Sequence, residues 1–287
     1  MSLIGRIRAS SMRLGAVMLA TGAATGCAAL SGPAPAAASS NQMALFEDGP
    51  ALINNPARTA QIFRAMGVST VRVNLAWSVV APSPNSRTRP NFNATDPAGY
   101  NWGHYDTILN TLRQYGLGVD LLVGGGAPLW AAAPNPPAAS GQFGSFANSW
   151  FPNAAEYGQF VQAAAKRYSW VRVWELWDEP NWGPALSPQF NGGSYPVSAK
   201  LFRQLENAAW AALKQTGHNR QTVIAGSLSQ DGSANVGQTG TTAPLTFMRT
   251  LYCLNSRYQP LRGNAAASVG CPTTKAATNR FRANNPA

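Results

Sequence analysis

Two adjacent carboxylates, Asp178 and Glu179, end the run Val173-Trp174-Glu175-Leu176-Trp177 and stand just before Pro180. A carboxyl group held at a strand tip can give a proton to a leaving oxygen and take one from water, which is the work of a general acid and base. Proline has no backbone donor and a fixed φ, so it cannot continue a central strand, and the pair before it falls at the strand's carboxyl end. Alternation puts Val173, Glu175, Trp177 and Glu179 on one side and Trp174, Leu176 and Asp178 on the other. Both sides are bulky, which predicts a strand buried on both faces. Glu175 is then a buried carboxylate that needs a cationic or hydrogen-bonding partner. Arg72, between Val71 and Val73, has the converse need, and Glu175 or Glu179 is its expected partner. Taken alone, Glu179 is also compatible with a carboxylate that caps a loop, although the catalytic reading is favoured.

The elements that must position these groups follow a repeated unit. Residues 55–73, 104–122, 151–177 and 198–228 each run from an amphipathic helical pattern into a Val-rich strand. Helix and strand alternating at this spacing predict an α/β fold with a parallel sheet. Strands are expected near 43–47, 70–77, 117–123, 171–177 and 222–228, with a further helix near 244–253. The tail from 254 is rich in Pro, Gly, Asn and basic residues and carries no further buried-strand pattern.

The nonapeptide VWELWDEPN at 173–181 resembles the acid/base strand of glycoside hydrolase clan A, in which a Trp-rich fourth strand ends in Asn-Glu-Pro. TVRVNLAWSVVAP at 70–82 is similar to the clan's second strand, with an inward Arg and a terminal Trp. YNWGHYDTILNTLRQYGLGVDLLV at 100–123 is similar to the helix and third strand, and GAPLW at 126–130 to the Pro-Trp turn after it. These segments lie in the clan's order over about 45–228, with the flavour of bacterial families 5 and 39. The resemblance implies a TIM-barrel type (β/α)8 fold of which about five βα units are present, with 39–287 as a partial barrel domain. It implies a retaining hydrolase with Glu179 as acid/base and Arg72, Trp77, Trp130, Asp178, Asn181 and Trp182 as substrate-binding residues. One departure is that Asp178 stands where the clan has Asn, which alters the amide contact expected to a sugar hydroxyl.

Retaining glycosidases need a second carboxylate about 5 to 5.5 Å from the acid, and in the clan it is a Glu at the tip of strand seven. After Glu179 the acidic residues are Glu206, inside a helical run, and Asp231, in the loop after strand five on the face that can touch a ligand, where an Asp-Gly turn is the favoured role. The nucleophile is therefore expected beyond residue 287. Trp77, Trp130 and Trp182 fall at or just after strand tips, where indole faces can stack on sugar rings. Trp102, Trp150, Trp170 and Trp210 read as packing residues.

The start reads as an export signal: Arg6, Arg8 and Arg13 precede the apolar run 14–24, and Ala36 and Ala38 make a small-residue cleavage site. Residues 1–38 are thus expected to be a signal peptide with a low-complexity tether, and the product secreted or at the cell surface. ATGC at 24–27 offers a competing reading as a lipoprotein box, in which case a lipid on Cys27 would tie the chain to a membrane. Cys253 and Cys271 form an even pair in an exported chain and are expected to be disulfide-bonded. The formal net charge is +11. Such a balance permits attraction to an acidic cell-wall polymer. The basic residues are scattered, which argues against nucleic acid as a partner. His104 and His218 have no ligand-spaced companions, and Gly124, Gly125 and Gly126 lack a following Lys-Ser/Thr. No metal or other cofactor is expected. The first expectation is a secreted hydrolase of a β-linked oligo- or polysaccharide. A carbohydrate-binding or wall-associated protein on the same scaffold is the second, and a surface lipoprotein the third.

Overall fold

The structure, a computed structural model, describes residues 42–138, 146–234 and 236–277. The arginine-led apolar run, Cys27 and the tether up to residue 38 lie outside these residues. The elements run β1 (Leu45–Phe46), α1 (Gly49–Asn54), α2 (Pro56–Ala65), β2 (Thr70–Ala76), α3 (Trp77–Val80), α4 (Gly103–Gln114), β3 (Gly118–Gly124) and α5 (Ala154–Arg167). They continue through β4 (Val173–Leu176), α6 (Ser198–Gln215), β5 (Thr222–Ile224), α7 (Pro244–Leu251) and α8 (Gly263–Ser268).

Local chemistry sets the helix boundaries. Asn55 accepts from the Arg58 amide and hands over to Pro56 at the first helical position of α2, while Asn153 accepts from the Ala155 and Glu156 amides at the start of α5. Helices α2, α4 and α6 all end on the same device. Gly67, Gly116 and Gly217 take φ of +80°, +67° and +84°, and the amide one residue later reaches back to Phe63, Leu112 or Leu213. This reach closes off the last turn and points the chain back towards the sheet.

All five strands are parallel and pair in sequence order, β1-β2-β3-β4-β5. Helix α2 packs on α4, α5 on α6, and α6 on α7, so successive helices are neighbours along one side of the sheet. A doubly wound sheet reverses its strand order; this one never does, which is the winding of a β/α barrel wall. The two edge strands are two and three residues long, too short to template strand addition.

One face of the sheet carries Val71, Val73, Leu75, Val119, Leu121, Val123, Trp174 and Leu176 into a core with Phe63, Leu109, Phe160 and Leu205. The opposite face carries Arg72, Asp120 and Glu175, with Leu122 and Val173 buried there outside that core. Strand β4 is buried along its whole length, as its sequence predicts. Strands β1, β4 and β5 are shorter than expected. β4 stops at Leu176 because Trp177 turns left-handed at φ +64°, and β5 stops at Ile224 ahead of Gly226 at φ +67°. The tail forms a second small core of Cys253, Leu261, Ala266, Val269 and Cys271, with the expected Cys253–Cys271 disulfide inside it. Arg203 of α6 joins it to the barrel wall by donating to the Val269 carbonyl, while its other donor holds the Leu251 carbonyl of α7 at 2.8 Å.

Candidate active site

The sequence requires Arg72 and Glu175 to find partners, and they find each other across β3. Arg72 Nε donates to one Glu175 oxygen at 2.6 Å and Nη2 to the other at 3.0 Å. Such a two-point match between guanidinium and carboxylate fixes both planes. The same guanidinium donates to Glu47 at 2.8 Å and to Asp178 at 2.9 Å. Its pKa is raised, first by the Glu175 hydrogen bond. Arg72 is thus the hub of three carboxylates and pairs with Glu175, not with Glu179.

Asp120 lies opposite Arg72 in the β2–β3 register, is 1% exposed, and leaves its Oδ1 without a hydrogen-bond donor. Burial, then the charge of Glu175, push its pKa up to about 6, against the pull of Arg72. A carboxyl whose pKa rises on folding holds its proton in the native chain after the unfolded chain has released it. Stability therefore falls as pH rises from the ordinary carboxylate range through 6. Asp120→Asn is expected to match the parent near pH 4 and to exceed it at pH 7 by roughly 1 to 3 kcal/mol. Urea unfolding at the two pH values checks this, and an unchanged difference between them would refute it.

At the tip of β4 the chain bends through two left-handed residues, Trp177 at φ +64° and Glu179 at φ +38°. Side chains there cost on the order of 1 to 3 kcal/mol each, and such strain concentrates at functional sites. The bend packs the Trp177 ring beneath the tip, 1% exposed with its Nε1 donating to Ala185, while Glu179 reaches a pocket. That pocket, about 460 Å³, is lined by Glu179, Trp182, Leu228, Ser229, Gln230 and Asp231. The pKa of Glu179 is raised, chiefly by burial, then by the charges of Asp178 and Asp231, and Arg72 only partly offsets this.

Glu179 and Trp182 thus meet at one pocket, with the Trp182 amide donating to the Glu179 carbonyl at 2.8 Å. Asp178 lies beside them one third exposed, its Oδ1 taken by Arg72 and by Ser227 at 2.8 Å. Asn181 is fully buried and differs from the expectation of a sugar contact. Its amide donates to the Ser229 and Thr242 carbonyls, and its oxygen accepts from the Ser229 amide, so it staples the β4 tip to the loop after β5. Trp77 differs too. Its ring is 0% exposed and stacked on Phe160 at 5.6 Å, a core position no sugar reaches. Trp130 keeps a partly open face but donates to Pro82 and packs edge-on to Trp77 outside the pocket lining. Of the three expected platforms, Trp182 alone lines the pocket.

The sequence favours a turn for Asp231 while placing it on the ligand-facing side of the loop after β5, and in the structure it lines the pocket with Glu179. Asp120 was missed although it interrupts an apolar strand just as Arg72 does. Among the described residues no group of three His, Cys, Asp or Glu is arranged to hold a metal ion.

No family model matches the chain, and no curated protein does. Solved structures similar to it include a glucosidase from Croceicoccus marinus (20% identity, TM-score 0.40), aligned over 63% of this chain and 36% of that one. Others are a family 39 glycoside hydrolase from Bacteroides cellulosilyticus WH2 (16%, 0.37, 63% and 30%) and a β-glucosidase from Thermotoga maritima (15%, 0.41, 60% and 37%). The alignments therefore span about a third of those chains.

Proposed function

We propose that this chain carries the acid/base half of a glycoside hydrolase site that cleaves O-glycosidic bonds of a β-linked oligo- or polysaccharide. The observation that carries the reading is Glu179, held in a strained bend at the carboxyl end of a barrel-type strand, its pKa raised, in a pocket with Trp182. A carboxyl that holds its proton above the ordinary carboxylate range can protonate the leaving oxygen, and once ionised it can take a proton from the attacking water. Trp182 offers an indole face on which a sugar ring can stack. A retaining double displacement adds a nucleophilic carboxylate about 5 to 5.5 Å from the acid, and the resemblance to clan A leads us to expect it at a later strand tip of the same barrel.

Hydrolysis of a panel of β-linked polysaccharides and aryl glycosides by the protein in its natural reading frame, beside Glu179→Gln, tests the proposal. Turnover that depends on Glu179 supports it, and turnover indifferent to the substitution sinks it. The second reading is a carbohydrate-binding protein on the same scaffold, favoured by Asp178, whose Oδ1 is committed to Arg72 and Ser227. Equal inactivity of parent and variant with sugar binding retained would select it. Export belongs to the same proposal, supported by the Arg-led apolar start and the disulfide. Mass spectrometry of the mature amino terminus distinguishes cleavage near Ala38 from a lipid on Cys27.

A further inference from the structure

Glu179 keeps a left-handed backbone at φ +38°, where a side chain is strained. Such a residue persists only where its surroundings over-determine it. Here the surroundings include three polar side chains, Asn181, Gln189 and Thr242, each 0% exposed. Gln189 Nε2 donates to the Pro180 carbonyl at 2.9 Å and to the Leu186 carbonyl at 2.7 Å, and its Oε1 accepts from the hydroxyls of Thr242 (2.7 Å) and Ser198 (3.0 Å). The Thr242 amide donates to the Asn181 carbonyl at 2.8 Å, and the Thr242 carbonyl accepts from Asn181 Nδ2 at 2.9 Å. Asn181 spends its remaining capacity on Ser229, bonding its carbonyl and its amide at 2.9 Å each. Every side-chain donor of the three is used. Burying this much polarity costs desolvation that an apolar filling would avoid, and a fully bonded network supplies one fixed geometry instead.

The place of the network gives that geometry a use. On one side it grips Pro180 and Asn181, the two residues after Glu179, and on the other Ser229, which lines the pocket two residues before Asp231. Backbone pairing extends the clamp: the Gly183 and Gln189 amides donate to the Gly240 and Gln238 carbonyls at 3.0 and 2.8 Å. A Cβ on Gly183 would lie 2.0 Å from the Thr239 carbonyl oxygen, so the two segments meet with no room for a side chain. We propose that Asn181, Gln189 and Thr242 are positioning residues for the acid, holding the Glu179 bend and the Asp231 loop in one arrangement across the pocket from a depth no substrate reaches. The inference rests on the glycosidase reading of that pocket and adds the residues that keep it in register. Glu179 feels burial, the charges of Asp178 at its own strand tip and Asp231 on the clamped loop, and the opposing charge of Arg72 from β2. Loosening the clamp weakens the burial and the Asp231 contribution, so the proton affinity of Glu179 should fall towards the ordinary carboxylate range.

Carbon-detected NMR titration of glutamate-labelled protein tests this, with the Glu179 carboxyl signal identified by its loss in Glu179→Gln, beside aryl-glycoside kinetics on the protein in its natural reading frame. Asn181→Ala is expected to lower the Glu179 pKa and to cut kcat about 100-fold, the loss that a misplacement of about 1 Å can bring, with KM changing far less. Thr242→Val keeps the outline of the side chain and loses only the hydroxyl bond to Gln189, so it should give a smaller fall of the same sign, and Thr242→Ser should restore the parent value. Leu112→Ala opens a cavity in the last turn of α4, weakens the fold without touching the clamp, and should leave the Glu179 titration where it is. A titration identical with the parent's in folded Asn181→Ala, or in Thr242→Val, overturns the inference, and so does a shift that Leu112→Ala reproduces. A shift confined to the clamp variants, with no turnover by any form, would keep the clamp and sink the glycosidase reading.

Discussion

Arg72→Leu is expected to cost about 3 to 5 kcal/mol of folding stability, the typical penalty for breaking a buried ion pair by deleting one partner. The loss comes from what remains behind. Glu175 is 3% exposed, and without the guanidinium its two oxygens lose the donors at 2.6 and 3.0 Å. Asp178 and Glu47 lose their shared counter-ion at the same time. For a domain of this size the deficit corresponds to a fall of roughly 10 °C in the melting temperature. The double variant Arg72→Leu/Glu175→Leu separates this account from a plain packing defect. With both charges gone the site becomes an apolar contact, and much of the loss should be recovered. A double variant as unstable as the single one would show that the guanidinium's packing, not its charge, holds the tips of β2 and β4 together.

Glu179→Gln is expected to lower kcat/KM by about 100- to 10,000-fold, the usual contribution of a positioned acid or base. The amide keeps the shape of the carboxyl and has no proton to give. Aryl glycosides with good leaving groups need less protonation, so they should lose least, and alkyl glycosides most. The pH profile carries independent information. Burial, Asp178 and Asp231 all hold the proton on Glu179, so the alkaline limb should lie above the ordinary carboxylate range. Asp231→Asn removes one of those charges and should move that limb to lower pH. A limb that does not move would mean that Asp231 does not act on the acid.

Much of this was legible in the sequence. The repeated passage from amphipathic helix through glycine to Val-rich strand predicts five parallel strands, because backbone geometry and burial periodicity are local properties. Arg72 and Glu175 could be matched by need alone, since each is a charge in an apolar strand. Where sequence reading went astray, the cause was a direction or a distance. Trp77 sits at a strand end, but whether an indole there turns into the core or over the rim depends on Phe160, more than eighty residues away. Asn181 follows the acid directly, yet its amide is consumed by Ser229 and Thr242, which only the folded loop brings near. Asp231 read as a turn because an Asp-Gly pair favours one. The turn is compatible with a side chain in the pocket, and one residue can serve both ends.

The left-handed backbone at Glu179 also means that this position was not chosen for robustness. Glycine adopts φ near +38° without steric penalty, so Glu179→Gly should give up the proposed chemistry and yet fold at least as well as the parent. Its relief of strain is set against the greater chain entropy that glycine brings to the unfolded state, for a net gain of up to about 1 kcal/mol. Selection for thermal endurance alone would thus favour losing this carboxylate, and under the proposed function keeping it is a stability–activity trade-off.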